Sequence, residues 1–156
     1  MTRTQLILIA GLGSLALLAG AFVFQAIGYA PCKMCLWQRW PHAAAILIAA
    51  VAVGLGGRIW AYLGASAALT TAALGLYHAG VERNWWEGPS TCTSGSIEGV
   101  DPEALLDQIL EAPIVRCDEI AWQLLGLSMA SWNAVASLIL VFIWIAAARR
   151  AALPNI

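Results

Sequence analysis

Residues 6–27 form an unbroken run with no charged side chain. A helix of that length is long enough to cross about 30 Å of hydrocarbon, which takes roughly 20 residues. Three further runs follow at 36–55, 59–81 and 129–148; the second carries only Arg39 near its start, and the last is closed by Arg149 and Arg150. Hydrocarbon offers no partner to a backbone N–H or C=O, so each run is predicted to be a helix. The first run is longer than the apolar core of a signal peptide, about 7–15 residues, and reads as a span. The expected fold is all-α: a polytopic membrane four-helix bundle, residues 1–156 as one integral membrane domain, with loops at 28–35 and 82–128. Composition agrees. The chain is 61% apolar and 11% charged, against about 45–50% and about 25% in soluble domains. That balance excludes a disordered chain, a nucleic-acid binder and an ordinary soluble enzyme.

Local signals refine the spans. Proline suits the first helical position, but a helix starting at Pro41 would be too short to span before Gly56. The second helix is therefore expected to start near Cys35 or Leu36 and to bend at Pro41. Small residues recur four apart (Ala16 and Gly20, Gly64 and Ala68, Ala68 and Ala72), a spacing that lets helix backbones approach closely in a bilayer. Trp37, Trp40, Trp60, Trp85, Trp86, Trp122, Trp132 and Trp144 fall at or near span edges, where Trp sits at headgroup level. In the long loop, Asp101 and Pro102 can cap and open a helix at 103–111, with Leu105, Leu106, Ile109 and Leu110 on one face. It reads as a short amphipathic helix on the membrane surface.

Four spans place both termini and the 55–58 turn on one side. That side carries Arg3, Arg58, Arg149 and Arg150, and the other carries Lys33, Arg39, Arg83 and Arg116. The basic count is tied, so the positive-inside rule does not orient the chain. All nine acids fall between Glu82 and Glu119, on the second side.

The same side holds all four cysteines: Cys32 and Cys35 in the short loop, Cys92 and Cys117 in the long one. Leu36 stands where a c-type haem would need a histidine. A four-thiolate zinc site shows two close pairs, and Cys92 and Cys117 are not close in sequence. Two structural disulfides remain open in an oxidising compartment. A Cys-x-x-Cys bridge, however, closes a very small loop and restricts the unfolded chain least; a redox role is preferred. Cys35 is expected at the start of the second span, where the helix dipole favours a thiolate. Lys33 and Arg39 add positive charge, and Arg39 lies one turn deeper on the face of Cys35. A charge at that depth marks a functional candidate. His42 reads as a plain interfacial residue. With no nucleotide or flavin fingerprint, the electrons of a membrane-edge dithiol need a membrane-soluble acceptor. A quinone fits, with Arg39 donating to a ring oxygen as negative charge develops there.

These residues resemble a known family. Cys32-Lys33-Met34-Cys35-Leu36-Trp37-Gln38-Arg39 is similar to the Cys-x-x-Cys-x-x-Gln-Arg pattern of the DsbB family, bacterial proteins of disulfide bond formation. The second cysteine pair, the four spans and Gly126-Leu127-Ser128-Met129 before the last span extend the resemblance over nearly the whole chain. The resemblance implies an inner-membrane, quinone-dependent thiol-disulfide oxidoreductase with the cysteine loops periplasmic and both termini cytoplasmic. A reduced DsbA-like partner would attack Cys92 of a Cys92–Cys117 disulfide. Cys117 would then attack Cys32 of a Cys32–Cys35 disulfide, and Cys35 would pass electrons to ubiquinone or menaquinone. Arg39, and His78 at the end of the third span, would hold the quinone. A vitamin K epoxide reductase-like enzyme is the alternative, although its active Cys-x-x-Cys lies on a later span. A non-enzymatic membrane protein with structural disulfides is the third reading.

Overall fold

A computed structural model of the chain describes residues 1–93, 101, 110 and 115–150. Four helices, α1 (Arg3–Ala26), α2 (Lys33–Leu55), α3 (Arg58–Glu82) and α4 (Met129–Arg149), are each long and apolar enough to cross a membrane. Their mean hydropathy runs from 1.2 in α2 to 2.4 in α1. The amphipathic helix expected at 103–111 lies outside the described residues, Leu110 apart.

The helix ends follow local chemistry. α1 begins three residues earlier than the uncharged run, because Thr2 and Gln5 form a reciprocal capping box across the first turn. α2 begins at Lys33, about a turn before the expected start, with Cys32 as its N-cap, and continues through Pro41. Between α2 and α3, Gly56 (φ 70°) and Gly57 (φ 81°) take up left-handed backbone that a side chain would resist, which makes the turn tight. Before α4 the chain forms a hairpin that the hydropathy pattern did not signal. β1 (Gln123–Leu124) pairs antiparallel with β2 (Leu127–Ser128), with left-handed Leu125 and Gly126 between them. Ser128 then caps α4 by accepting from the Ser131 N–H.

The helices pack in the cyclic order α1, α2, α3, α4, each against its two neighbours. Contacts at the ends show that they alternate in direction. Arg3, opening α1, donates to the Gly57 carbonyl after α2 at 2.5 Å, and Arg150, after α4, donates to the Met1 carbonyl. At the opposite end Arg39 of α2 meets Gln25 of α1, and Ser128 before α4 meets Glu82 of α3. All four cysteines lie at this second end.

The interior is built of small residues and the outside of large ones. Ala10, Ala45, Ala52, Ala61 and Ala68 are fully buried, whereas Leu12, Phe22, Leu47, Leu69 and Phe142 are exposed. Lipid tails are as apolar as leucine, so burying large side chains gains little and close backbone approach dominates. Among the described residues, Trp144 is the largest side chain to break the rule. Trp144, expected at headgroup level, is fully buried, and a Cβ on Gly64 would come within 2.5 Å of its ring. Gly64 thus exists as space for Trp144. The small-residue spacing proves selective: Ala68 and Ala72 are buried at the α3 interface, but Ala16 is exposed and a Cβ on Gly20 would meet nothing.

Gly64→Val is therefore expected to destabilise the bundle by roughly 1–3 kcal/mol, the usual cost of overpacking, while Gly20→Val leaves stability nearly unchanged. Unfolding of the two variants in mixed detergent checks this; equal midpoints would refute the packing role of Gly64.

Candidate active site

Cys32 occupies the N-cap of α2, and that position fixes the geometry of the Cys-x-x-Cys pair. An N-cap side chain accepts from the backbone N–H three residues on; here the Cys32 Sγ accepts from the Cys35 N–H at 3.2 Å. The capping turn brings the two sulfurs to 3.0 Å, with the Cys32 thiol donating to Cys35. It is thus Cys32, rather than Cys35, whose sulfur meets the helix start. The hydrogen bond to Cys35, and then burial, push the Cys32 thiol up.

Cys92 and Cys117 form a disulfide, and the Cys117 N–H donates to the Cys92 carbonyl at 2.8 Å. The Cys92 turn is pinned by the N–H groups of Cys92 and Thr93, which both donate to the Pro89 carbonyl. The sulfurs of Cys32, Cys92 and Cys117 all lie within 4.8 Å of one another, and so do the ligand atoms of Cys32, Cys35 and His78. Cys32 is common to both groups and stands between the loop disulfide and Cys35. The second group offers three donors to a metal ion, two of which a Cys32–Cys35 disulfide would consume. With Met34 and Val81, the sulfurs make a small apolar cluster at the end of the bundle. The small polar residues around Cys92 suggest an open loop, yet both sulfur-bearing residues are 0% exposed. Tertiary packing against Cys32, Met34 and Val81 overrides the local polarity. The charges flanking Cys117 pair with each other: Arg116 donates twice to Asp118, at 3.0 and 2.5 Å, and also meets Glu119. The Arg116 hydrogen bond holds the Asp118 carboxyl below its ordinary value.

Behind the sulfurs, a chain of buried polar side chains crosses the bundle, and two backbone carbonyls orient all of it. Gln38 Nε2 lies 3.1 Å from the Met34 carbonyl, which can only accept. That atom is therefore the amide nitrogen, and His78 Nδ1, 3.0 Å away, accepts its other proton. His78 then carries its proton on Nε2, which faces Cys32 Sγ at 3.6 Å and Glu82 Oε1 at 3.9 Å. On the other side, Gln38 Oε1 accepts from Asn133 Nδ2 at 2.8 Å, and the same nitrogen approaches the Thr71 carbonyl at 3.4 Å. Asn133 Oδ1 consequently faces His42 Nε2 at 2.8 Å, so that nitrogen carries the His42 proton. Among the described residues, His42 Nδ1 is buried with no partner.

Cys35, Arg39, His42, His78, Glu82 and Asn133 all line one cavity of about 410 Å³, whose remaining wall is largely apolar and includes Phe24 and Trp122. Arg39 reaches across to α1. It donates to Gln25 Oε1 at 2.7 Å and to the Ala21 carbonyl at 3.3 Å, and its guanidinium lies 4.8 Å from the centre of the Phe22 ring. Its Nε is buried without a partner among the described residues. The structure thus brings together every site residue expected from sequence. His42, read there as interfacial, belongs to the buried chain instead. Asn133, Thr71 and Glu82 were not anticipated. Glu82 carried one signal, standing one helical turn after His78 at the end of an apolar run. Asn133 carried none beyond its being a polar residue early in the last span.

A family model for disulfide bond formation protein DsbB matches residues 3–147. Disulfide bond formation protein B 2 of Pseudomonas aeruginosa is 30% identical over 130 residues, covering 78% of this chain and 76% of the relative. Disulfide bond formation protein B of Albidiferax ferrireducens is 30% identical over 155 residues, covering 89% and 86%. The protein of the same name from Pasteurella multocida is 30% identical over 161 residues, covering 88% and 83%. No solved structure matches the chain. Two cysteine pairs at one end of four apolar helices, in a chain matched along nearly its whole length, have one assignment: this protein belongs to the DsbB family of disulfide bond formation membrane proteins.

Proposed function

We propose that the protein reoxidises a periplasmic DsbA-like dithiol oxidase and passes the electrons to ubiquinone or menaquinone in the bacterial inner membrane. The cysteine end of the single membrane domain faces the periplasm, and both termini face the cytoplasm. The observation that carries this reading is the continuity of the sulfurs. Cys32 stands within 4.8 Å of the loop disulfide on one side and of Cys35 on the other, and Cys35 lines the cavity.

The exchange balances at each step. A partner thiolate attacks Cys92, making a mixed disulfide and releasing Cys117. Cys117 attacks Cys32 of the Cys32–Cys35 disulfide and Cys35 leaves as a thiolate. The partner's second thiol resolves the mixed disulfide, freeing oxidised partner and the Cys92 thiolate. Cys92 then attacks Cys117, restoring the loop disulfide and leaving Cys32 and Cys35 as a dithiol. The His78 Nε2–H, facing Cys32, steadies the charge on that sulfur as it leaves.

The cavity residues fit a quinone. The volume lies in the range of small-molecule sites, the wall is mainly apolar, and Arg39 Nε is a buried donor without a partner among the described residues. A bound quinone supplies the acceptor for the two electrons and two protons of the dithiol. Arg39 and His78, both on the cavity wall, would hold the quinone, and the Arg39 charge would stabilise negative charge developing on a ring oxygen.

Two measurements check the relay and the acceptor. Cys92→Ser should abolish a trapped mixed disulfide with the DsbA-like partner, and Cys117→Ser should accumulate it; equal trapping would overturn the order of attack. In an anaerobic titration of the fully reduced protein, added quinone should remove free thiols, and Arg39→Ala should slow that loss roughly 100–1,000-fold, as for loss of one charge-stabilising donor. Thiol counts unmoved by quinone in the unsubstituted protein would remove the quinone reading.

A further inference from the structure

The polar chain behind Gln38 leaves one atom unexplained. His42 is 3% exposed, lines the cavity, and has Nδ1 buried without a partner among the described residues. An unsatisfied buried acceptor costs about 1–3 kcal/mol, so it calls for a ligand atom. Hydrogen-bond polarity states which kind. The Met34 and Thr71 carbonyls fix the Gln38 and Asn133 amides, Asn133 Oδ1 holds the His42 proton on Nε2, and Ser137 approaches the same oxygen at 3.4 Å. In this neutral tautomer Nδ1 offers only a lone pair. A quinone oxygen also offers only lone pairs and cannot pair with it. A hydroquinone hydroxyl can.

We propose that His42 is the residue by which the cavity distinguishes reduced from oxidised quinone, its Nδ1 accepting a hydrogen bond from a hydroquinone hydroxyl. Asn133 is the positioning residue that keeps Nδ1 an acceptor. This rests on the quinone reading of the cavity. Arg39, three residues earlier on α2, presents a donor and suits the oxygen of either form; His42 suits only the reduced one. The site therefore holds its product better than its substrate at this position, which draws the two-electron transfer from the dithiol towards completion before release.

The test is a binding measurement in which no exchange can occur. In a Cys32→Ser, Cys35→Ser background, an alkyl-benzoquinone and its hydroquinone are titrated anaerobically, with Trp fluorescence as the readout. His42→Gln places an amide where Nε2 was, keeping the bond to Asn133 but removing the acceptor at Nδ1. It should weaken hydroquinone binding roughly five- to tenfold, the loss of one hydrogen bond, and leave quinone binding unchanged. His42→Asn, whose side-chain oxygen can reach the Nδ1 position, should retain the preference for hydroquinone. Equal weakening of both forms in His42→Gln would show a merely structural histidine and overturn the proposal, as would no change in either. If His42 intact binds both forms equally, the inference falls while the quinone reading stands; if it binds neither, both fall.

Discussion

The hydrogen bond from Asn133 to Gln38 ties α4 to α2 through the middle of the bundle, and the orientation of the site depends on it. In a membrane interior a polar side chain without a partner is costly, so these two amides are either mutually satisfied or disruptive. Here each also touches a backbone carbonyl, at Met34 and at Thr71. Backbone carbonyls cannot reverse their role, so the direction of every bond from His42 to Cys32 is set by the helices themselves. Two histidine tautomers, one beside the sulfurs and one beside the cavity, follow from helix packing rather than from the histidines' own surroundings.

The helices can pack closely enough for this because their interior is mostly alanine. Buried alanines such as Ala45 on α2 and Ala68 on α3 accompany the close approach at which Gln38 meets Thr71 and His78. Trp144, the largest exception, fills the end away from the sulfurs, against Gly64. The bundle is thus dense and apolar at the terminal end. Towards the cysteine end it opens into the cavity between α1 and the polar chain.

The spans and the cysteine pairs were legible in sequence because both are local signals: twenty residues without a charge, and thiols at defined spacing. The boundaries were less so, since a capping box at Thr2 and a cysteine cap at Cys32 extend helices past the apolar runs. What the sequence hid was the direction in which residues face. Trp144 near a span end looks the same whether it meets lipid or Gly64. Asn133, Thr71 and Glu82 look like ordinary polar interruptions, because the pairing of one helix with another has no period along the chain. The polar stretch around Cys92 suggested exposure for the same reason; packing with Cys32, Met34 and Val81 buries Cys92.

That burial has a kinetic meaning. A disulfide whose two residues present no surface is insulated from small thiols in bulk solution, however favourable exchange with them is at equilibrium. Anything that trades electrons with it must first part the Pro89–Thr93 turn from the end of α3, and such work requires a surface that can grip the loop. Selectivity then resides in mechanical access to the loop.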